Sequence, residues 1–240
     1  MKPVRFARNG RVFAVLTSYR PVAVGAALIG AMLVSGCASP PESRFYTLGA
    51  GSEAAPQSAG AQTVPAFLIE VPTVGMPAQV ARNQLVVQDN ATRVTVLEQE
   101  RWASPPGDEL RRALSGDLAA RLGTFDVFDS PHPQTVPVYR IAVNVRRFES
   151  WPGSRAVLDA VWSVRSLRTQ VVVTCNTVQT EAVGPGFDAL VAGHRRAVGE
   201  LADAIASTVR VLAAGGRAPA LGANACAVGT PVTAKNSGAS

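Results

Sequence analysis

The chain has 240 residues, of which 47% are hydrophobic, and its 23 basic and 17 acidic side chains give a net charge of +6. Five basic residues and no acid lie in residues 1–36, so the other 204 residues carry 18 basic and 17 acidic side chains. Such a balance, without clusters of Lys and Arg interleaved with aromatics, argues against a nucleic-acid-binding protein.

Residues 1–36 have the pattern of a secretion signal. Basic residues are followed by an uncharged stretch over residues 22–34 and by small residues before Cys37. The uncharged stretch has thirteen residues, whereas a transmembrane helix needs about 20. This order resembles the bacterial lipobox, in which the cysteine is acylated and becomes the N-terminus. We predict a lipoprotein signal peptide over 1–36 and lipidation of Cys37; an ordinary signal peptide and an inner-membrane helix are the alternatives.

Small and polar residues dominate residues 37–63, which we predict to be a flexible tether. One domain of ordinary size is predicted over residues 64–214. It opens with a β-rich segment at residues 67–71, which ends before a proline. Residues 84–88 and 93–97 flank a short Asp/Asn turn and predict a β-hairpin.

Ser104 and Pro105 are typical of a helix start, with the serine as N-cap and the proline as first helical residue. An apolar stripe then recurs every four residues, formed by Leu110, Leu114, Leu118 and Leu122. Gly123 suits a helix end in the left-handed conformation. The segment therefore predicts an amphipathic helix.

Residues 125–128 are predicted to form a short strand, and residues 130–137 a proline-containing loop. From residue 138 to 180, three segments alternate apolar and polar side chains between short turns. This pattern predicts an antiparallel meander with one face toward the core. The opposite face of its first strand carries Arg140, Asn144 and Arg146.

The longest helical stripe lies in residues 187–212, where apolar side chains recur at steps of three and four. The elements together predict an α+β fold, a two-layer sandwich in which two helices pack on one face of a mostly antiparallel sheet. Residues 215–240 contain few large apolar side chains, and we predict a disordered C-terminal tail there.

The two cysteines beyond Cys37 are Cys175 and Cys226. The periplasm is oxidising, so a disulfide between them is one interpretation. The other is two free thiols, with Cys175 packed as a small hydrophobe on an alternating strand. We favour the disulfide slightly, because a free exposed thiol at Cys226 would be reactive.

Residues suited to catalysis are sparse. His132 lies near Asp129 and Ser130, which permits a hydrolase hypothesis, but adjacent residues on one loop seldom aim at one point and no Gly-x-Ser-x-Gly motif is present. His194 falls on the apolar stripe of the last helix, as a packed histidine would. Neither the cysteines nor the histidines have metal-ligand spacing, and no phosphate-binding loop occurs. We predict a protein that is not an enzyme and that holds neither cofactor nor metal.

Several features, in one order along the chain, resemble a known family. They are the lipobox cysteine, Arg44-Phe45-Tyr46-Thr47-Leu48, the break at Val71-Pro72, a hairpin, Trp102-Ala103-Ser104-Pro105, a strand carrying Trp162, and a long terminal helix. This order, over about residues 43–212, is similar to that of the ABC-type transport auxiliary lipoproteins, the PqiC-like family. The extension that carries Cys226 departs from the family pattern, because such proteins usually stop soon after the last helix.

The resemblance implies an outer-membrane lipoprotein on the periplasmic side, with an MCE-domain protein and inner-membrane transporter components as partners. It also implies transport of phospholipid and a contribution to membrane integrity, and it is compatible with a homo-oligomer. Ala38 follows the lipobox cysteine where an Asp would favour retention in the inner membrane. A non-transport envelope adaptor or scaffold lipoprotein is the alternative function.

Partner binding is predicted on loops at one edge of the sheet. The candidates are residues 72–82, with Val74, Met76 and Val80 as contact residues, and the loop at residues 130–137. Prolines stiffen both segments, so that binding costs less conformational entropy. The alternatives are that both are ordinary surface connections and that the exposed face of the meander binds the partner.

Overall fold

The computed structural model describes residues 42–49, 65–216 and 225–229. The predicted signal peptide and Cys37 lie outside these ranges. The helices are α1 (Pro106–Leu122) and α2 (Phe187–Ala213). The strands are β1 (Arg44–Tyr46), β2 (Leu68–Glu70), β3 (Gln84–Gln88), β4 (Val94–Trp102), β5 (Val138–Trp151), β6 (Arg155–Ser166), β7 (Val172–Ala182) and β8 (Ala225–Gly229).

The larger of the two sheets has the order β2-β5-β6-β7-β8. β5 pairs antiparallel with β6, and β6 pairs antiparallel with β7, which confirms the predicted meander. The turn between β5 and β6 requires a positive φ of 67° at Gly153, where a glycine adds no steric strain. β2 joins β5 in parallel and makes the sheet mixed.

The smaller sheet has the order β1-β4-β3. β3 and β4 form the predicted hairpin, with a register shift at Gln84 and Leu85. β1 pairs in parallel with β4, although its residues fall inside the predicted tether over 37–63. The tether prediction was therefore wrong for residues 44–46, because Tyr46 buries its ring and its hydroxyl donates a hydrogen bond of 2.6 Å to Glu100.

The two helices form one layer against the larger sheet. α2 packs on β5, β6 and β7, and α1 packs on α2. Their apolar stripes meet the inner face of the sheet in one core, whose largest fully buried side chains include Trp162, Leu114 and Leu201. This arrangement confirms the predicted α+β fold with helices on one face, although the strands divide between two sheets.

The start of α1 differs from its prediction, and its end agrees with it. The helix begins at Pro106 with Pro105 as N-cap, and no side chain caps it. Ser104 does not cap the backbone, because its hydroxyl donates instead to the carboxylate of Glu109 at 2.6 Å. The predicted end is confirmed: Gly123 has a φ of 61° and its N–H donates to the carbonyl of Ala119.

Two further segments differ from their predictions. β8 falls inside the predicted disordered tail over 215–240, yet it pairs antiparallel with β7 along residues 225–229. β8 forms although its side chains are short, because the free edge of β7 offers hydrogen-bond partners to its backbone. The predicted strand at 125–128 is reduced to a single parallel bridge between Asp126 and Ile69.

Candidate docking surface

The larger sheet has two different faces because side chains alternate along β5. Ile141 and Val143 point toward the helices and are buried, whereas Ala142 and Asn144 are exposed on the opposite side. No described helix covers that opposite side, which we call the open face. It is the exposed face of the meander, one of the alternatives predicted for partner binding.

Small side chains leave a shallow depression of about 440 Å³ in the open face. Its lining includes Thr73, Gly75, Ala142, Asn144, Ser163 and Thr174. Gly75 allows the chain to approach β5 closely, since a Cβ atom there would lie 3.1 Å from Nδ2 of Asn144. The surface therefore offers hydroxyl and amide groups around a few small apolar side chains.

Ion pairs border this depression. Nε of Arg140 donates to the carboxylate of Glu70 at 2.6 Å. Arg146 donates to Asp159 at 2.9 Å and to Asn176 at 2.7 Å. Arginines beside a shallow surface of mixed polarity are common in protein–protein interfaces. The described residues of the open face therefore have the composition of a docking surface.

The contact residues predicted for the partner do not form a free surface. Val74 and Val80 are buried in the core, and Met76 packs against it. The reason is backbone pairing: Gly75 donates to the carbonyl of Val143 at 3.1 Å and accepts from the N–H of Val145 at 2.9 Å. This pairing fixes the segment against β5. The prediction of docking was therefore wrong for Val74 and Val80, which are buried, and stays a prediction for Met76, which is only partly buried.

The loop at residues 130–137 is exposed, but its polar groups do not assemble a catalytic site. Nδ1 of His132 lies 3.2 Å from the backbone carbonyl of Ser130, not from its hydroxyl. The guanidinium of Arg168 donates to the carbonyl of Thr135 at 2.6 Å. These contacts stabilise a loop and give no support to the hydrolase hypothesis.

His194 lies in the core. Its ring stacks on Phe148 with centroids 4.1 Å apart, and its Nε2 is 2.8 Å from Oγ of Ser150. Burial lowers the pKa of His194 to about 3, so the imidazole is neutral. Nδ1 has no hydrogen-bond partner within the described residues. The residue is a packed histidine, as its place on the apolar stripe indicates.

Glu109 connects β1 to α1 from a buried position. Its carboxylate accepts hydrogen bonds from Oγ1 of Thr47 at 2.7 Å and from the N–H of Leu48 at 3.0 Å. It also accepts from Ser104 and pairs with Arg112. Burial alone would raise the pKa of Glu109, but these donors outweigh it and the pKa lies below its ordinary value. Nothing in the local sequence pattern singles out this acid, because its partners Thr47 and Leu48 lie 62 and 61 residues earlier in the chain.

A second concavity lies between the helices, with a volume of about 260 Å³. Four arginines line it: Arg112, Arg121, Arg195 and Arg196. Three of them pair with carboxylates, at 2.5 Å to Glu109, 2.7 Å to Asp203 and 3.0 Å to Glu181. These pairs offset most of the positive charge, so the cleft is a weaker candidate for ligand binding than the open face.

Cys175 and Cys226 are joined by a disulfide, with their Cα atoms 4.0 Å apart. The two residues face each other across β7 and β8. The bond therefore fastens the last described strand to the edge of the larger sheet.

Within the described ranges, no group of three or more His, Cys, Asp or Glu residues is arranged to hold a metal ion. No helix in that part of the chain combines the length and the apolar character needed to cross a membrane.

The fold is similar to solved structures at low sequence identity. One is the crystal structure of an uncharacterised protein, with a TM-score of 0.55 and 18% identity, covering 70% of this chain and 99% of the other. A second is a Xanthomonas campestris protein of the DUF330 family, with a TM-score of 0.48 and 17% identity, covering 73% and 95% of the two chains. Among curated proteins, none matches this chain.

A known protein family matches the sequence over most of its length. Residues 46–206 match the family described as the ABC-type transport auxiliary lipoprotein component. The matched region extends from the end of β1 through most of α2 and so includes all of α1 and the strands β5, β6 and β7. The chain belongs to the family of ABC-type transport auxiliary lipoproteins.

Proposed function

We propose that this chain is an outer-membrane lipoprotein of an MCE/ABC-type intermembrane lipid transport system, anchored through Cys37 on the periplasmic side. The lipobox pattern before Cys37 and the family membership support the anchor, and Ala38 favours the outer membrane over the inner one. In this role the domain docks onto the periplasmic end of a conduit formed by an MCE-domain protein. The conduit connects to inner-membrane transporter components and carries phospholipid.

The open face is the surface on which we expect the partner to dock. It combines exposed side chains, a depression of about 440 Å³ and a border of arginines. Substitutions there change contacts with a partner and leave the core in place.

Docking is tested by two matched substitutions. Ala142→Arg places a long charged side chain in the depression, and Ala120→Arg adds the same charge on an exposed position of α1. We expect Ala142→Arg to abolish capture of the MCE-domain protein and Ala120→Arg to preserve it, with closely similar melting temperatures. Equal capture by both variants would contradict docking through the open face.

The anchor is tested separately. Cys37→Ser is expected to abolish labelling by radioactive palmitate, and retained label would contradict lipidation at this residue. Sucrose-gradient fractionation of the unsubstituted protein should place it with the outer membrane. A band confined to the inner membrane would refute that location.

A non-transport adaptor is the second candidate, and it shares the lipid anchor and the open face. Recovery of peptidoglycan or a barrel protein on the open face, in place of an MCE-domain protein, would favour it. Self-association stays a prediction that sedimentation of the purified lipoprotein can test.

A further inference from the structure

The first described residues are attached to the folded domain close to the proposed lipid anchor. Oγ of Ser43 donates to Oε1 of Gln99 on β4 at 2.8 Å, and from Arg44 onward β1 pairs with β4. Ser43 is the sixth residue after Cys37, and six residues span at most about 21 Å even when fully extended. Acyl chains on Cys37 would therefore hold the start of β1 within about that distance of the bilayer.

Phe45 is exposed at this same edge of the domain. It exposes 65% of its surface, more than any other large hydrophobic side chain in the described residues. Alternation along β1 fixes this orientation, because its neighbour Tyr46 is buried and bonded to Glu100. Across the ladder Phe45 pairs with Arg101, which is partly buried, and the residue before it is Arg44, whose side chain is 70% exposed and lies 3.5 Å from the carboxylate of Glu100.

An aromatic side chain next to arginines is suited to the headgroup region of a membrane, where rings and guanidinium groups are both favourable. A soluble protein partner would need a contiguous interface of several hundred Å² on this chain. A single exposed ring on a short edge strand does not provide that area, whereas a bilayer within reach of the tether can take up one ring.

We propose that Phe45 enters the headgroup region of the membrane that holds the acylated Cys37, and that this contact orients the domain on the bilayer. The inference rests on the lipid anchor of the proposed function. It adds a second attachment point, a side chain of the folded domain, to the covalent one.

Tryptophan fluorescence in lipid vesicles tests the contact. Full-length lipidated Phe45→Trp is incorporated into vesicles of phosphatidylethanolamine and phosphatidylglycerol, with or without phosphatidylcholine brominated at acyl carbons 6 and 7. Val178→Trp is the matched control, because Val178 is also exposed, at 49%, but lies on β7. The unsubstituted chain, with its three tryptophans, gives the background emission.

We expect the brominated lipid to quench most of the emission added by Phe45→Trp and little of that added by Val178→Trp. Equal quenching of both, or no quenching of Phe45→Trp in protein that floats with the vesicles, would overturn the contact and leave the anchor intact. Failure of the chain to float would refute the anchor and the inference together. Melting curves of both variants in detergent verify that each is folded.

Discussion

The two faces of the larger sheet are built from the same three strands but are filled very differently. On the covered face lie Ile141, Trp162 and Val164, which are almost completely inaccessible to solvent. On the open face lie Ala142 and Ser163, with ion pairs at the border. Packing in the core restricts which residues the covered face can carry. The residues of the open face are not restricted in this way and can instead suit a binding partner. The predictions below test whether the division is this sharp.

The largest effect is expected from Trp162→Ala on the covered face. Trp162 is 1% exposed, and its indole N–H donates to Oγ1 of Thr177 at 2.8 Å. Truncation of a buried Trp costs about 3–5 kcal/mol of unfolding free energy. Val161→Ala, one residue earlier on the open face, should cost less than about 1 kcal/mol. Urea unfolding measures both, and similar losses would show that the open face is also packed.

The next largest effect concerns the edge of the sheet. The disulfide joins residues separated by 51 positions, and loops of this size are stabilised by about 2–4 kcal/mol when a bond closes them. Cys226→Ser should lower the free energy of unfolding by that amount in oxidising buffer. Under reducing conditions, the variant and the unsubstituted chain should unfold at the same urea concentration. A difference that persists after reduction would show that the bond is not its cause.

A smaller effect is expected for Glu109→Gln, which converts an acceptor of several hydrogen bonds into a group that also donates. Leaving buried donors such as the Leu48 amide poorly paired costs about 1–3 kcal/mol. Glu98→Gln is the control, because Glu98 is exposed and accepts only from Gln84 among its described hydrogen bonds. Equal stability of the two variants would contradict the role of Glu109.

The pH dependence of the same residue has a defined sign. The pKa of Glu109 is lowered in the folded chain, so its stabilising contribution is complete above the unfolded value of 4.5 and is lost as the pH falls through the folded value. The unsubstituted protein should therefore lose stability below about pH 4.5 more steeply than Glu109→Gln.

Elements with a repeating pattern were predictable from the sequence. The meander and α2 each extend over many residues with one period, 2 or about 3.6, so their type and inner face follow from the residues alone. The open face was foreseen in part, since Arg140 and Asn144 fall opposite the apolar positions of β5. Its depression was not, because it depends on Gly75 arriving from a distant segment.

The errors arose where long-range pairing decides the structure. β1 and β8 are short and lie in segments with few large apolar side chains, and each forms a strand by pairing with the edge of a neighbouring strand. Val74 and Val80 lack any periodic pattern, so their burial follows from the backbone pairing of Gly75 with β5. The residues next to these segments in the sequence do not indicate which distant strand they pair with.

The last effect is a pH slope that distinguishes a buried polar group on the covered side from one in an exposed loop. Burial lowers the pKa of His194 from 6.5 to about 3, so the unfolded chain binds a proton there that the folded chain does not bind. Stability must then fall as the pH falls below 6.5, by up to about 1.4 kcal/mol for each pH unit. The range from pH 6.5 to 4.5 isolates this effect, because Glu109 contributes below it.

His194→Gln should flatten the slope over that range whatever it does to the absolute stability, since glutamine does not titrate. His132→Gln is the matched control, because His132, the only other histidine of the chain, lies in the exposed loop and contacts a backbone carbonyl. Urea midpoints measured at half-unit pH steps give the slopes. A slope that survives in His194→Gln would show that the buried imidazole of His194 is not its source.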